Sequence, residues 1–294
     1  MTTSLYTIPM LKLNAAELQT TEPTRIPKLF IVILSYNSER ELLRCLNSLK
    51  NEPGKIVIVD NASDNNSVHE IKKITAKEKR IKLIENKKNI GFAAGNNVGI
   101  RYALSKGADY VLLLNQDTQV KKGFLKPLLA SKTDIISPVI VSKRKNTLIY
   151  DYGGTINWVI GRTCHLESDR YFEKGPLPET LHLSIEYISG CAMLVKSEVF
   201  AKIGEFSENF FLYFEDVDFC IRAKKEGFSI ACERKSVISH TLKEGKEKPW
   251  RNIYYLLVSN LRFINYYVFF WNKPFAYLYW ILIACKLILT KTVG

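Results

Sequence analysis

The chain is 294 residues long, with 47% hydrophobic and 24% charged residues, a globular composition that suits one large α/β domain with appendages better than two full domains. Its six cysteines (Cys45, Cys164, Cys191, Cys220, Cys232, Cys285) form no CxxC pair, which argues against a zinc knuckle or a disulfide framework and fits a reducing cytosol. The net charge of +13 calls for an anionic partner, whether nucleic acid, an acidic membrane surface or a phosphorylated small molecule.

Residues 1–27 are polar and mixed, and read as an extension with at most a short helix near 11–18; they hold no continuous apolar run, so no secretory signal is expected. Short apolar runs then recur at Phe30–Leu34, Ile56–Val59, Ile81–Ile84 and Tyr110–Leu114, as strands buried on both faces of a parallel sheet should read. Helices are predicted between them: one opened by a capping box at Ser38–Glu41 and running through Leu49, one opened by a second box at Ser67–Glu70 and running toward Lys79, and one from about Gly95 to Ser105. Strand–helix alternation at this spacing is the mark of a doubly wound α/β domain. Further strands are expected at Ile135–Val141, Leu148–Tyr152, Ala192–Val195 and Phe228–Cys232, with a helix after Glu215. From Lys243 the chain turns aromatic, apolar and basic, which divides it into 1–27, 28–242 and 243–294.

Ligands of open α/β sheets bind beyond the carboxyl ends of the strands. Three polar clusters fall there: Ser35-Tyr36-Asn37, Asp60-Asn61-Ala62-Ser63-Asp64 and Asn115-Gln116-Asp117. Any one of them reads as a strand-ending turn; three in register with successive strands read as an edge that binds a nucleoside and its phosphates.

The same residues carry a resemblance. FIVILSYNSERELLRCLNSL at 30–49, IVIVDNASD at 56–64, the NxGFAxxxNxG stretch at 89–99, VLLLNQDTQV at 111–120 and the ED-containing block at 190–227 together resemble family-2 glycosyltransferases, in the family's order over residues 28–242. The resemblance implies a GT-A fold, a Rossmann-like mixed sheet flanked by helices with a C-terminal helical tail, and inverting, metal-dependent transfer from a nucleotide-sugar. The NxGFA and FEDVD forms look most like bacterial rhamnosyltransferases of surface-polysaccharide synthesis.

It also implies roles. Donor contacts fall to Ser35, Asn37, Asp60, Asn89, Gly91, Phe92, Asn96, Asn115 and Asp117, with the alternative at Asp60 being an Asx-turn cap. Asn115-Gln116-Asp117 departs from a strict DxD, so Asp117 is left as the carboxylate for Mg²⁺ or Mn²⁺, with His240 as a second ligand. Gly91 and Gly95 are expected to admit the donor close to the backbone, while Gly99 serves packing equally well. Asp216 is the candidate base and Glu215 its acceptor-side neighbour, whereas Asp218 and Arg222, spaced i,i+4, suit a structural pair. The donor would be a dTDP-, UDP- or GDP-sugar, and the acceptor a saccharide, free or linked to polyprenyl diphosphate.

The tail holds eight Lys/Arg against two Glu. Its uncharged runs, Phe263–Asn272 and Pro274–Cys285, fall short of a ~20-residue span, which predicts peripheral, salt-sensitive attachment to the cytoplasmic face of the plasma membrane. A homodimer interface or a helical lid is the alternative. Two other functions were weighed. A nucleotidyltransferase would need basic residues in the first strand–loop, where Ser35-Tyr36-Asn37 stands. A nucleic-acid binder would need a motif or one basic patch, but the basic residues are dispersed and no nucleic-acid partner is expected.

Overall fold

The structure is a computed structural model that describes residues 27–64, 67–76, 78–174, 185–241 and 249–292. The N-terminal extension, its short helix and the start of the tail at 243–248 lie outside the described residues. One ten-stranded sheet organises the chain in the order β3-β2-β1-β4-β9-β6-β10-β5, with β7 paired to β6 and β8 to β7. The four apolar runs become β1 (Leu29–Ser35), β2 (Lys55–Asp60), β3 (Ile81–Glu85) and β4 (Tyr110–Leu114). All three pairings among them are parallel.

Their side chains alternate between two cores, the consequence of the period-2 pleat. Val32, Val57, Val59, Val111 and Leu113 fall in one buried cluster. Ile31, Ile33, Ile56, Ile58, Leu112 and Leu114 fall in the other. Helix α1 (Glu39–Ser48) covers the second cluster with Leu42, Cys45 and Leu46. Its expected capping box is not closed, because Ser38 makes no side-chain cap bond. Helix α2 is shorter than expected, at Ser67–Thr75.

Helix α3 (Phe92–Ser105) covers the first cluster and begins three residues earlier than the sequence pattern suggested. It lies very close to the sheet. A Cβ on Gly95 would come within 2.5 Å of Leu34, and one on Gly99 within 2.3 Å of Val32. Gly95 is therefore a packing glycine, which corrects its expected role toward the donor.

Beyond β4 the sheet becomes mixed. The short β5 (Thr118–Val120) and helix α4 (Leu125–Ala130) precede β6 (Ile135–Arg144), β7 (Thr147–Asn157) and β8 (Arg162–Ser168). Then come β9 (Ala192–Lys196), α5 (Ser197–Ile203), α6 (Glu215–Lys225) and β10 (Ile230–His240). β9 runs antiparallel to both β4 and β6. β10 pairs parallel with β6 and antiparallel with β5, setting His240 opposite Thr118.

Helices α7 (Trp250–Tyr267) and α8 (Lys273–Thr292) complete the chain. The division expected at residue 243 does not separate α7 from the main unit, since Phe263 is fully buried in the first core cluster. Ser259 Oγ donates to Leu212 O and the Tyr267 hydroxyl to Asp218. α8 docks on α7 along one stripe, around Ile264, Val268 and Ala276, and Trp280 Nε1 donates to Leu257 O at 2.9 Å. Its other sides carry exposed Phe275, Leu278, Ile281, Leu282 and Leu289. The tail's two apolar runs were expected to be too short to span. Instead, residues 270–290 form an apolar helical stretch of 21 residues, long and apolar enough to cross a membrane.

Candidate active site

Two neighbouring clefts open at the carboxyl ends of β1, β2 and β4. The first, of about 260 Å³, is lined by Tyr36, Asn61, Asn89, Gly91, Asn115 and Asp117, and by Arg251 and Tyr255 from α7. The second, of about 480 Å³, is lined by Asp151, His165 and Glu167 together with Glu215, Asp216 and His240. Phe92, Asn115 and Leu212 belong to both. The clefts are thus two halves of one site.

The sheet itself builds the junction. Asn115 N donates to Cys191 O, and Asn115 O accepts from Thr118 Oγ at 2.7 Å, which turns the chain from β4 into β5. Pairing of β5 with β10 then brings His240 beside Asp117, with Nε2 3.1 Å from Oδ1. Asp117 lines the first cleft and His240 the second. Burial disfavours the His240 imidazolium, but contact with Cys191 and with the Asp117 carboxylate outweighs it and raises the pKa. Once His240 gives up its proton, a carboxylate oxygen and an imidazole nitrogen at this separation suit a shared divalent cation. Adjacent ligands about 2.1 Å from an octahedral ion stand about 3 Å apart, and such an ion takes its remaining ligands from phosphate and water.

The first cleft is shaped by an asparagine hub. Asn61 donates to Asn89 Oδ1 at 2.9 Å and to Gly91 O at 3.1 Å, and accepts from Asn86 and from Ile90 N. Gly91 sits at φ +91°, where a Cβ would lie 2.5 Å from Phe211 O. Only glycine tolerates both conditions. Gln116 clamps Tyr36 by a reciprocal pair, accepting from its N–H and donating to its carbonyl. Arg251 stands 5.9 Å over the Tyr36 ring.

Four of the expected donor residues are not in either cleft wall. Ser35 is fully buried, and its hydroxyl has no partner. Asn37 accepts from Asp64 N while its own N–H is taken by Ser63 Oγ, so it ties two loops together. Asp60 is 2% exposed, and its two oxygens accept from the N–H and hydroxyl of Ser63. The structure thus forms the Asx-type turn at Asp60. Asn96 is buried in α3 and donates back to Phe92 O, a local helix bond.

Asp216 lies in the first turn of α6 and in the wall of the second cleft. Its oxygens accept from Gly190 N at 2.9 Å and Val217 N at 2.8 Å, which fixes the carboxylate and leaves lone pairs free. Burial raises its pKa above the ordinary value of an aspartate. Burial, then the neighbouring Asp216 charge, raises that of Glu215 well above its normal value. Glu215 is 5% exposed, with Oε2 unpartnered. The upward shift is the larger at Glu215, so of the two carboxyls it holds its proton more tightly.

The turn that delivers them is strained. Tyr213 and Phe214 sit at φ +70° and +68°, a conformation costing about 1–3 kcal/mol per residue that persists only where packing enforces it. Phe214 packs on Phe263 of α7, ring centroids 5.1 Å apart. Asp218 pairs with Arg222 at 2.9 Å, the structural role the i,i+4 spacing suggested.

Sequence reasoning placed a strand at Leu148–Tyr152, inside β7, but missed β8, the hairpin the two form, and the α7 contribution. The hairpin signal was there: Thr163, His165 and Glu167 alternate with buried Leu166. Arg251 lay in what read as a separate tail.

Residues 30–204 match the family model described as Glycosyl transferase family 2. The chain is similar to the low-salt glycan biosynthesis hexosyltransferase Agl10 of Haloferax volcanii, 29% identical over 217 residues covering 71% of this chain and 66% of the relative. It is also similar to the dTDP-rhamnosyl transferase RfbF of Shigella flexneri, 27% identical over 210 residues covering 69% and 65%. The chain spans just under two thirds of the length of both relatives. In fold it is similar to the mannosyltransferase PcManGT from Pyrobaculum calidifontis in complex with GDP-Man and Mn²⁺. The TM-score is 0.60 at 15% identity, covering 93% of this chain and 77% of that one.

Proposed function

The chain belongs to glycosyl transferase family 2 and has the GT-A fold, and from that premise we propose that it transfers a hexose, rhamnose foremost, from a nucleotide-sugar to a saccharide acceptor with inversion. The observation that carries this reading is the Asp117–His240 contact, which stands where the two clefts meet. A donor in the first cleft would present its diphosphate to that pair. An acceptor in the second would then reach the anomeric carbon from the Asp216 side.

Asp117 and His240 would hold a divalent cation, whose chemistry is to neutralise charge on the departing diphosphate. Asn89, Gly91 and Asn115 shape the pocket for the donor, and Arg251 brings a cation to its wall. Asp216 takes the proton from the acceptor hydroxyl as its oxygen bonds to the anomeric carbon. The bond from that carbon to the diphosphate oxygen breaks, and its electron pair leaves with the nucleoside diphosphate. Glu215 is the more strongly raised of the pair, which leaves Asp216 the better suited to ionise and act as the base.

Rhamnose is supported by the likeness to the dTDP-rhamnosyl transferase and by the NxGFA and FEDVD forms. Work at the cytoplasmic membrane face on a lipid-linked acceptor is supported by the exposed apolar α8 and the basic tail. A thermal-shift screen of dTDP-, UDP- and GDP-sugars with Mg²⁺ and Mn²⁺ tests the reading. A ligand at ~100 times its Kd adds roughly 2.7 kcal/mol of stability. No stabilisation by any of the three donor classes would overturn it.

A further inference from the structure

The geometry points to the β7–β8 hairpin as an acceptor-recognition platform built for a neutral sugar ring, with the Asp151–His165 and Arg144–Glu167 pairs as its specificity-determining groups. This rests on the proposed transfer reaction and names the class of acceptor for it.

The hairpin turns one polar stripe toward the cleft that holds Asp216. On β8, Thr163, His165 and Glu167 face the cleft, while Leu166 between them is buried against Val139 and Tyr152. Asp151 on β7 pairs opposite Glu167, and Arg144 closes the row from β6. None of these groups is needed for the donor cleft. All of them line the same second cleft as the base.

Their charges are already spent on one another. Arg144 donates to both oxygens of Glu167, at 2.8 and 2.6 Å. His165 Nδ1 stands 2.8 Å from Asp151 Oδ2, and that bond raises the imidazole pKa. Yet the stripe remains open, with the Arg144 and His165 side chains 51% and 46% exposed. Planar groups locked in pairs offer fixed donors and acceptors with no net positive charge, the complement of sugar hydroxyls, which both donate and accept. A uronate or phosphorylated sugar would meet Glu167, Asp151 and Asp216 without a free cation among these groups to receive it. Like charges so placed act as a rejecting element.

The test uses the full chain and the nucleotide-sugar that stabilises it. Nucleoside diphosphate release is followed with water alone, with octyl β-glucoside, octyl α-rhamnoside or octyl N-acetyl-β-glucosaminide, and with octyl β-glucuronide. Neutral glycosides should raise release several-fold over the water rate, and the glucuronide should not. His165→Gln should raise the neutral acceptor's KM about tenfold while the nucleotide-sugar still stabilises the variant as it does the native chain, a split that a general loss of folding would not produce. Glu167→Gln, which frees Arg144, should narrow the gap between glucuronide and glucoside. Stimulation by the glucuronide equal to that by the glucoside in the native chain would overturn the inference, as would an unchanged KM in His165→Gln. Water-only release with no response to any glycoside would also overturn it while leaving the transfer reading intact. Absence of release from any donor would instead count against the transfer reading itself.

Discussion

His240 Nε2 and Asp117 Oδ1 lie 3.1 Å apart although 123 residues separate them in the chain. The contact exists because β5 and β10 pair antiparallel at the sheet's edge, with Thr241 N donating to Asp117 O at 3.0 Å to lock the register. The proposed cation site therefore rests on a three-residue strand.

Asp117→Ala should abolish the metal enhancement of nucleoside diphosphate binding. In the native chain, Mn²⁺ should tighten that binding at least tenfold by calorimetry, whereas the variant should bind equally with and without it. Retained enhancement would move the cation elsewhere.

The raised pKa of Asp216 sets the pH profile. Its unfolded value is ~3.9, and burial in the folded chain shifts it upward. The base works when ionised, so kcat/KM should fall as pH drops through a value above the ordinary carboxylate range. The linkage for stability has the opposite sense. A carboxyl raised on folding favours the fold below its unfolded pKa, and that contribution is lost as pH rises through the folded value. Asp216→Asn should therefore gain stability relative to the native chain above that value, as measured by urea unfolding at a series of pH values.

Much of this was readable from the sequence, and the reasons differ by element. β1, β2 and β4 are buried on both faces, so their continuous apolar runs declare them; Asp117, Asp216 and Asn115 follow from where those strands and α6 end. Asp60 and Asn96 were harder, because a short polar side chain near a strand or helix end serves the backbone as readily as a ligand. The core of β7 was legible at Leu148–Tyr152, but β8 escaped because its stripe alternates polar and apolar on a half-exposed strand, a weaker signal than a continuous run. α7 escaped because composition marked it as tail, whereas its buried face (Ile253, Ser259, Phe263, Ile264) belongs to the core.

Tyr267 ties α7 to α6 through Asp218, which is 4% exposed and also held by Arg222. Tyr267→Phe should cost about 1.5–3 kcal/mol, the range for a hydrogen bond to a charged group. The reading is a lowered urea midpoint with unchanged m. A chain ending at residue 242 should lose far more, because Phe263 leaves the core with it.

Membrane attachment should depend on α8. Twenty helical residues rise about 30 Å, the thickness of a bilayer's hydrocarbon core. The full chain should float with anionic vesicles and stay bound in high salt, since the exposed Phe275, Leu278, Leu282 and Leu289 give it an apolar contact. A chain ending at Val268, which keeps α7 whole, should remain at the bottom of the gradient. Equal flotation of the two would exclude α8 as the anchor.

The central claim is that Asp216 is the base of a sugar transfer whose donor is held elsewhere. The most direct measurement compares Asp216→Asn with the native chain, in nucleoside diphosphate affinity by calorimetry and in transfer rate to the acceptor. Affinity should be unchanged and the rate lower by roughly 10²–10⁴. A variant that transfers at the native rate would contradict it.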